Sequence, residues 1–249
     1  MKAIALTLVC WTALGGPSLQ EILKSCDDLF HRFENKAAYE LLLNANRDFP
    51  HSAEVLWRLS RVEMHIADHM PSSTDQQKDA QLEAYQTAYN YADSAIAADS
   101  KNSMAYTFRA SANGKIALFK GIFSVAPIVK RVRDDCEHAI ALDSSNAIAC
   151  YIMGRTHTKL SEKPKLFRWP LGLAWGNTDD AIRFYQRAVV LDSTFVMFRF
   201  DLAKALINEN EYQRAREQLL LIATLPSRDE NDDSLKAEAV KLLEEIRTK

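Results

Sequence analysis

Apolar residues recur along this chain at the three- and four-residue intervals of amphipathic helices, not in the alternation of strands. Three stretches show it most plainly: YADSAIAADSKNSMAY, CEHAIALDSSNAIACY and YQRAVVLDSTFVMFRF. Each closes one helical face, passes through an Asp-Ser pair and opens another face. The pairs are 99–100, 143–144 and 192–193. An earlier copy, LLLNANRDFPHSAEVLW, turns at Pro50, and a last turn falls near 227. Turns near 50, 100, 144 and 193 stand 50, 44 and 49 residues apart.

The residues before each turn obey a fixed spacing. Ala38, Leu42 and Ala45 precede Pro50; Ala88, Ala92 and Ala95 precede Ser100; Val132, Cys136 and Ala139 precede Ser144. Ala181, Tyr185 and Ala188 precede Ser193, and Ala215, Leu219 and Ile222 precede Ser227, with Pro226 one residue early. Small side chains at the outer two positions let a pair of helices approach closely. A second, independent spacing marks the partner helix. Its small site is Ser60, Ala110, Gly154 and Ala203, preceded by Leu59, Arg109, Met153 and Leu202. These are the offsets of the tetratricopeptide unit. They predict an all-α solenoid of helical hairpins wound as a right-handed superhelix, one domain over residues 19–249.

The units are longer than the roughly 34 residues of the standard repeat. The excess lies inside the hairpins. Leu206 to Ala215 is the tight spacing of nine, whereas Glu63 to Ala88 is 25, Asn113 to Val132 is 19 and His157 to Ala181 is 24. The inserted segments predict extra helical turns packed on one face of the solenoid. A closing helix over roughly Asp233 to Arg247 would cap the apolar end left by the last repeat.

Composition agrees with this picture. There are only 7 Gly and 7 Pro in 249 residues, which suits long helices with short connections. A net charge of −2 leaves no basic footprint for nucleic acid. At the N-terminus, Lys2, the apolar run Ala3 to Leu14 and the small residues Gly15, Gly16 and Ser18 have the layout of a secretory signal peptide, 1–18. The expectation is an exported, periplasmic chain, or one tethered to the membrane by an uncleaved N-terminal segment, with no membrane span in the mature part. Removal of Cys10 with the signal would leave Cys26, Cys136 and Cys150. An odd number makes a poor disulfide framework and favours buried thiols, with a Cys136–Cys150 bridge as the alternative.

Further features carry a family resemblance: Gly154-Arg155 after the helix start AIACY, an insertion with Trp169 and Trp175-Gly176, and Asp232-Asp233 before a final Lys/Glu/Leu helix. With DDCEHAIALDSSNAIACYIMGRTH and LAWGNTDDAIRFYQRAVVLDSTFVMFRFDLAKAL, they make the chain resemble the regulator of microtubule dynamics family and its bacterial tetratricopeptide relatives, most clearly from Ala92 onward. The resemblance implies a helical solenoid used for protein association, with microtubule and organelle-membrane roles in eukaryotic members. The expected export and balanced charge favour a bacterial periplasmic relative.

A partner site follows from the register. One residue past the small site stand Arg61, Ser111, Arg155 and Lys204; three before it stand Trp57, Thr107, Tyr151 and Phe200. A cationic row beside an aromatic row would suit a peptide with carboxylate and apolar side chains in the concave groove. His65 and His69 share a helix face and are weak metal candidates, since neither a following Glu nor a third spaced ligand accompanies them. No phosphate loop, nucleophile elbow or Cys-x-x-Cys pair occurs, so no cofactor and no catalysis are expected. Exposure of Phe119, Phe123, Phe167 and Trp169 would instead mark a structural subunit of an envelope assembly.

Overall fold

The computed structural model describes residues 16–249, apart from the side chains of 122 and 123. Residues 1–15 of the expected signal segment, and the Phe123 side chain, lie outside the described residues. Ten helices form five antiparallel hairpins: α1 (Leu19–His31) with α2 (Asn35–Asp48), α3 (Ala53–Asp68) with α4 (Asp75–Ala98) and α5 (Ser103–Ala117) with α6 (Ile122–Leu142). In the fourth, α7 (Ala147–Ser161) is followed by the short α8 (Lys165–Arg168) and a 3-10 turn (Trp169–Leu171) before its partner α9 (Thr178–Leu191). The fifth is α10 (Val196–Asn208) with α11 (Tyr212–Ile222), and α12 (Asp232–Glu245) packs on both of these as the cap. No strand occurs among the described residues. The first helices α1, α3, α5, α7 and α10 touch in succession and form the inner row of an all-α, tetratricopeptide-like right-handed solenoid.

The spacing rules have a direct physical meaning. Ala38, Ala88, Ala181, Ala215, Ala95, Ala139 and Ala188 have no exposed surface, and neither do Ser60, Ala110 and Ala203 on the facing helices. Gly154 shows why one copy departs to glycine. A Cβ built there would lie 2.6 Å from the Tyr185 ring, the bulky occupant of a middle site filled elsewhere by Leu, Ala or Cys. The Asp-Ser pairs also have a function. The carboxylates of Asp99, Asp143 and Asp192 accept the backbone N–H groups of Lys101, Ser145 and Thr194 at 2.9, 2.9 and 3.1 Å. They thereby stop one helix and set the turn. Asn102 and Asn146 then cap α5 and α7 by accepting from Ala105 and Ala149.

The sequence pattern names four first helices, and the structure adds a fifth, α1. Cys26 stands twelve residues before Ala38, as Ala203 stands twelve before Ala215, and it is fully buried at the small site. A polar Ser25 where the other copies carry a large side chain obscures this unit in the sequence. The first and fifth hairpins share one turn. Phe33 and Asn210, each five residues before the alanine, adopt left-handed φ of 63° and 61°. Glu34 and Glu211 donate their N–H groups to Leu29 and Leu206 at 3.0 and 2.9 Å.

The insertions take two forms. The first two go largely into longer second helices, α4 of 24 residues and α6 of 21. The third folds around Arg168, whose guanidinium donates to the carbonyls of Lys163, Leu173 and Gly176 at 2.8, 3.0 and 2.9 Å. His157 supports it from α7: Trp175 meets its ring edge-on at 4.9 Å, and Nδ1 accepts the Asn177 N–H at 3.3 Å. Burial holds His157 below the ordinary histidine range, consistent with a neutral acceptor. Arg109, the charged exception among large residues, lies 2.6 Å from Asp135 and 2.7 Å from Asp93. Cys26, Cys136 and Cys150 are buried free thiols, and burial pushes Cys26 up to about 11 and the other two upward.

Gly154 and Gly114 provide a matched test of helix spacing. Gly154→Ala is expected to destabilise the protein by about 1–3 kcal/mol through overpacking against Tyr185. Gly114→Ala, where an added Cβ meets nothing within 4 Å, is expected to stabilise α5 by about 0.5–1 kcal/mol. Urea denaturation of the two variants checks both signs.

Candidate partner-binding groove

Extending the register to α1 changes the proposed ladder. One residue past the small site, the row reads Asp27, Arg61, Ser111, Arg155, Lys204, so it begins with an acid. That acid neutralises its neighbour. Arg61 donates to Asp27 at 2.6 Å, and Arg58 makes a forked pair with the same carboxylate at 2.9–3.2 Å. The Arg61 guanidinium lies 4.0 Å above Phe30 and 5.2 Å from Trp57, and its side chain is only 13% exposed. These hydrogen bonds and charges hold the Asp27 carboxyl below the usual carboxylate range, against the opposing effect of burial. Arg61 is therefore committed to joining α3 to α1.

Arg155 and Lys204 differ: their side chains are 45% and 50% exposed. Asp201 of α10 reaches α7, accepting from the Tyr151 hydroxyl at 2.7 Å with Arg155 at 3.9 Å. Lys204 lies 3.7 Å from Glu238 of α12 and 5.3 Å from the Phe200 ring. Between α3 and α5 the corresponding link is Lys115 on Asp68 at 2.5 Å, with the Tyr85 hydroxyl on the same carboxylate. Between α5 and α7, Asn146 donates to Ser103 and Thr107 at 2.7 and 2.8 Å. Polar contacts thus tie each first helix to the next along the inner face.

The aromatic row requires a correction. Trp57, Tyr151 and Phe200 are 6%, 6% and 3% exposed, and Thr107 is fully buried. Trp57 stacks on Phe108 at 5.5 Å and Tyr151 on Phe198 at 4.7 Å. These rings fill the seams between first helices and do not line an open groove. The Tyr151 hydroxyl, bonded to Asp201, is the polar end of that row.

His65 and His69 face two carboxylates. His69 Nδ1 is 2.8 Å from the His65 carbonyl, and Nε2 is 2.8 Å from Glu230. His65 Nδ1 is 3.9 Å from Asp229, and the Phe30 ring meets it edge-on at 4.8 Å. Glu230 also accepts from Asn35 at 3.1 Å. Among the described residues no group of three or more His, Cys, Asp or Glu side chains is arranged to hold a metal ion. The sequence spacing gives no hint of Asp229 and Glu230, which arrive from the far end of the chain.

The comparisons with known proteins fit this architecture. The family model for regulator of microtubule dynamics protein 1-3 matches residues 22–247. Regulator of microtubule dynamics protein 1 from Bos taurus is 24% identical over 90% of this chain and 71% of its own length. The Mus musculus protein is 25% identical over 90% and 74%. Among solved structures, a thermophilic tetratricopeptide repeat protein of Thermus thermophilus superposes with a TM-score of 0.64 at 16% identity, covering 89% of this chain and 98% of that one. The Pseudomonas aeruginosa pilF protein gives 0.53 at 15% identity, covering 92% and 86%.

The Asp27–Arg61 link is open to test. Asp27→Ala leaves the enclosed Arg61 guanidinium without its carboxylate and is expected to cost about 3 kcal/mol or more. Glu34→Ala, which removes an exposed partner of Arg32, is expected to cost about 0–1 kcal/mol. Thermal and urea unfolding of both variants give the comparison.

Proposed function

This chain belongs to the regulator of microtubule dynamics family, and on that premise we propose that it is a non-catalytic scaffold that holds a peptide or protein partner on its inner face. The observation that carries the reading is the pair Arg155 and Lys204. They are half-exposed cations on successive first helices, beside the Tyr151–Asp201 hydrogen bond. Such cations can take partner carboxylates without breaking a buried link, which Arg61 cannot. The non-catalytic part rests on the sequence, in which no phosphate loop, nucleophile elbow or Cys-x-x-Cys pair occurs. No helix among the described residues is long and apolar enough to cross a membrane. The N-terminal apolar run supports an encounter with the partner outside the cytoplasm, in a periplasm.

Charge reversal tests the reading. Arg155→Glu with Lys204→Glu is expected to reduce partner capture at least tenfold while leaving the melting temperature within a few degrees of the parent. Capture from extracts that is unchanged in a folded double variant would refute the inner-face site.

A second reading is favoured by a different surface. Leu166, Phe167 and Trp169 on the third insertion are 78%, 63% and 72% exposed, whereas Phe119 packs against Tyr85 at 6.0 Å. Large apolar side chains grouped in this way suit a subunit contact within a larger assembly. Under that reading, Phe167→Ser with Trp169→Ser releases the chain from a sedimenting complex that the charge reversals leave intact.

A further inference from the structure

The loop between α11 and α12 brings the last hairpin onto the first two. Its shape is set by its own residues. The Asp232 carboxylate accepts the N–H groups of Arg228 and Asp229 at 2.7 and 2.9 Å, and Asp229 accepts from Asn231 at 2.9 Å. Arg228 anchors the loop to Asp192 at 3.0 Å, and Leu225 packs into the C-terminal core. These contacts belong to the C-terminal part of the molecule. The loop reaches the N-terminal part through carboxylates: Glu230 on Asn35 and His69, and Asp229 towards His65.

On the receiving side Asn35 and His69 face Glu230, while His65, 3.9 Å from Asp229, is held below the ordinary histidine range by burial. A carbonyl oxygen only accepts, so His69 Nδ1 donates to the His65 carbonyl while Nε2 faces Glu230. Asn35, the first residue of α2, is buried and points its amide N–H at the same Glu230. Pro226, Ser227, Glu230 and Asn231 are exposed while Asp229 is buried, and the loop's hydrogen bonds and ion pairs to the first two hairpins are polar side-chain contacts. The Glu230–His69 contact is partly exposed, and ion pairs of that kind are individually weak and reversible.

We propose that Asn35, His65 and His69 form a binding site for the paired carboxylates of an acidic segment of a partner protein, which the chain's own Asp229–Glu230 loop occupies as an intramolecular competitor. The proposal rests on the reading of the inner face as the partner-binding face and supplies the chemical class of that partner. Tethering gives the loop a high effective concentration at the site. A free acidic segment therefore binds the intact protein poorly until the loop is released.

The probe is a fluorescent peptide of the loop's own sequence, SRDENDDS, titrated against the full chain. Asp229→Asn with Glu230→Gln, which keeps side-chain shape and removes charge, is expected to bind it at least tenfold more tightly than the parent. His65→Ala with His69→Gln in that background is expected to abolish the gain, and the carboxylate-free peptide SRNQNNNS is expected not to bind. Circular dichroism melts identify any variant that fails to fold, and single changes at Glu230 and His69 then replace the doubles. Equal affinity of parent and loop variant, or no binding to the loop variant at millimolar probe, overturns the proposal. Binding indifferent to His65 and His69 also overturns it. Loss of partner capture in the Arg155/Lys204 reversals, together with a negative peptide result, would sink this inference and leave the inner-face reading intact. Capture insensitive to those reversals would sink the inner-face reading itself.

Discussion

The architecture depends on how closely two helices of a hairpin approach one another. That distance is fixed at a few positions without exposed surface, held by Ala, Ser, Cys or Gly, where a side-chain carbon on one helix meets the wall of the next. The fourth hairpin shows the constraint most clearly. Tyr185 occupies a middle site, and Gly154 opposite it makes room for the ring. At this contact the larger ring is matched by the smallest residue, as close packing requires. With the hairpins set at this separation, the first helices fall into a row, and their side chains meet across it at predictable heights. The lateral links Asp27–Arg61, Asp68–Lys115, Tyr151–Asp201 and Lys204–Glu238 are consequences of that register.

Most of this frame was legible in the sequence because it is periodic. Fixed offsets located the small sites, and the Asp-Ser pairs located turns whose carboxylates bind backbone N–H groups two residues on. The first helix escaped because Ser25 removed the large side chain that accompanies the small site elsewhere. Arg109 was visible as an exception, but its partners Asp93 and Asp135 come from two other helices, and no local pattern names them.

The candidate site was legible only in part, for a geometrical reason. A heptad-like offset assigns a residue to a strip of its own helix and does not say whether a neighbouring helix covers that strip. Trp57, Tyr151 and Phe200 share a strip, and the adjoining first helices close over it. Arg61 shares a strip with Arg155 and Lys204, yet an acid from α1 claims it. The two histidines were recognised as sharing a face, but the carboxylates they meet are carried by a loop outside the repeat. Contacts between the ends of a solenoid leave no trace in its period.

That contact changes what kind of object the solenoid is. In an open stack each unit leans only on its immediate neighbours, and the terminal units, with a neighbour on one side alone, fray first. Here the acidic loop gives the first two hairpins a second support from the last. A few polar contacts fasten the two ends together, so fraying at either end also undoes the fastening. Loosening at one terminus therefore removes a support from the other, to the extent of these few contacts.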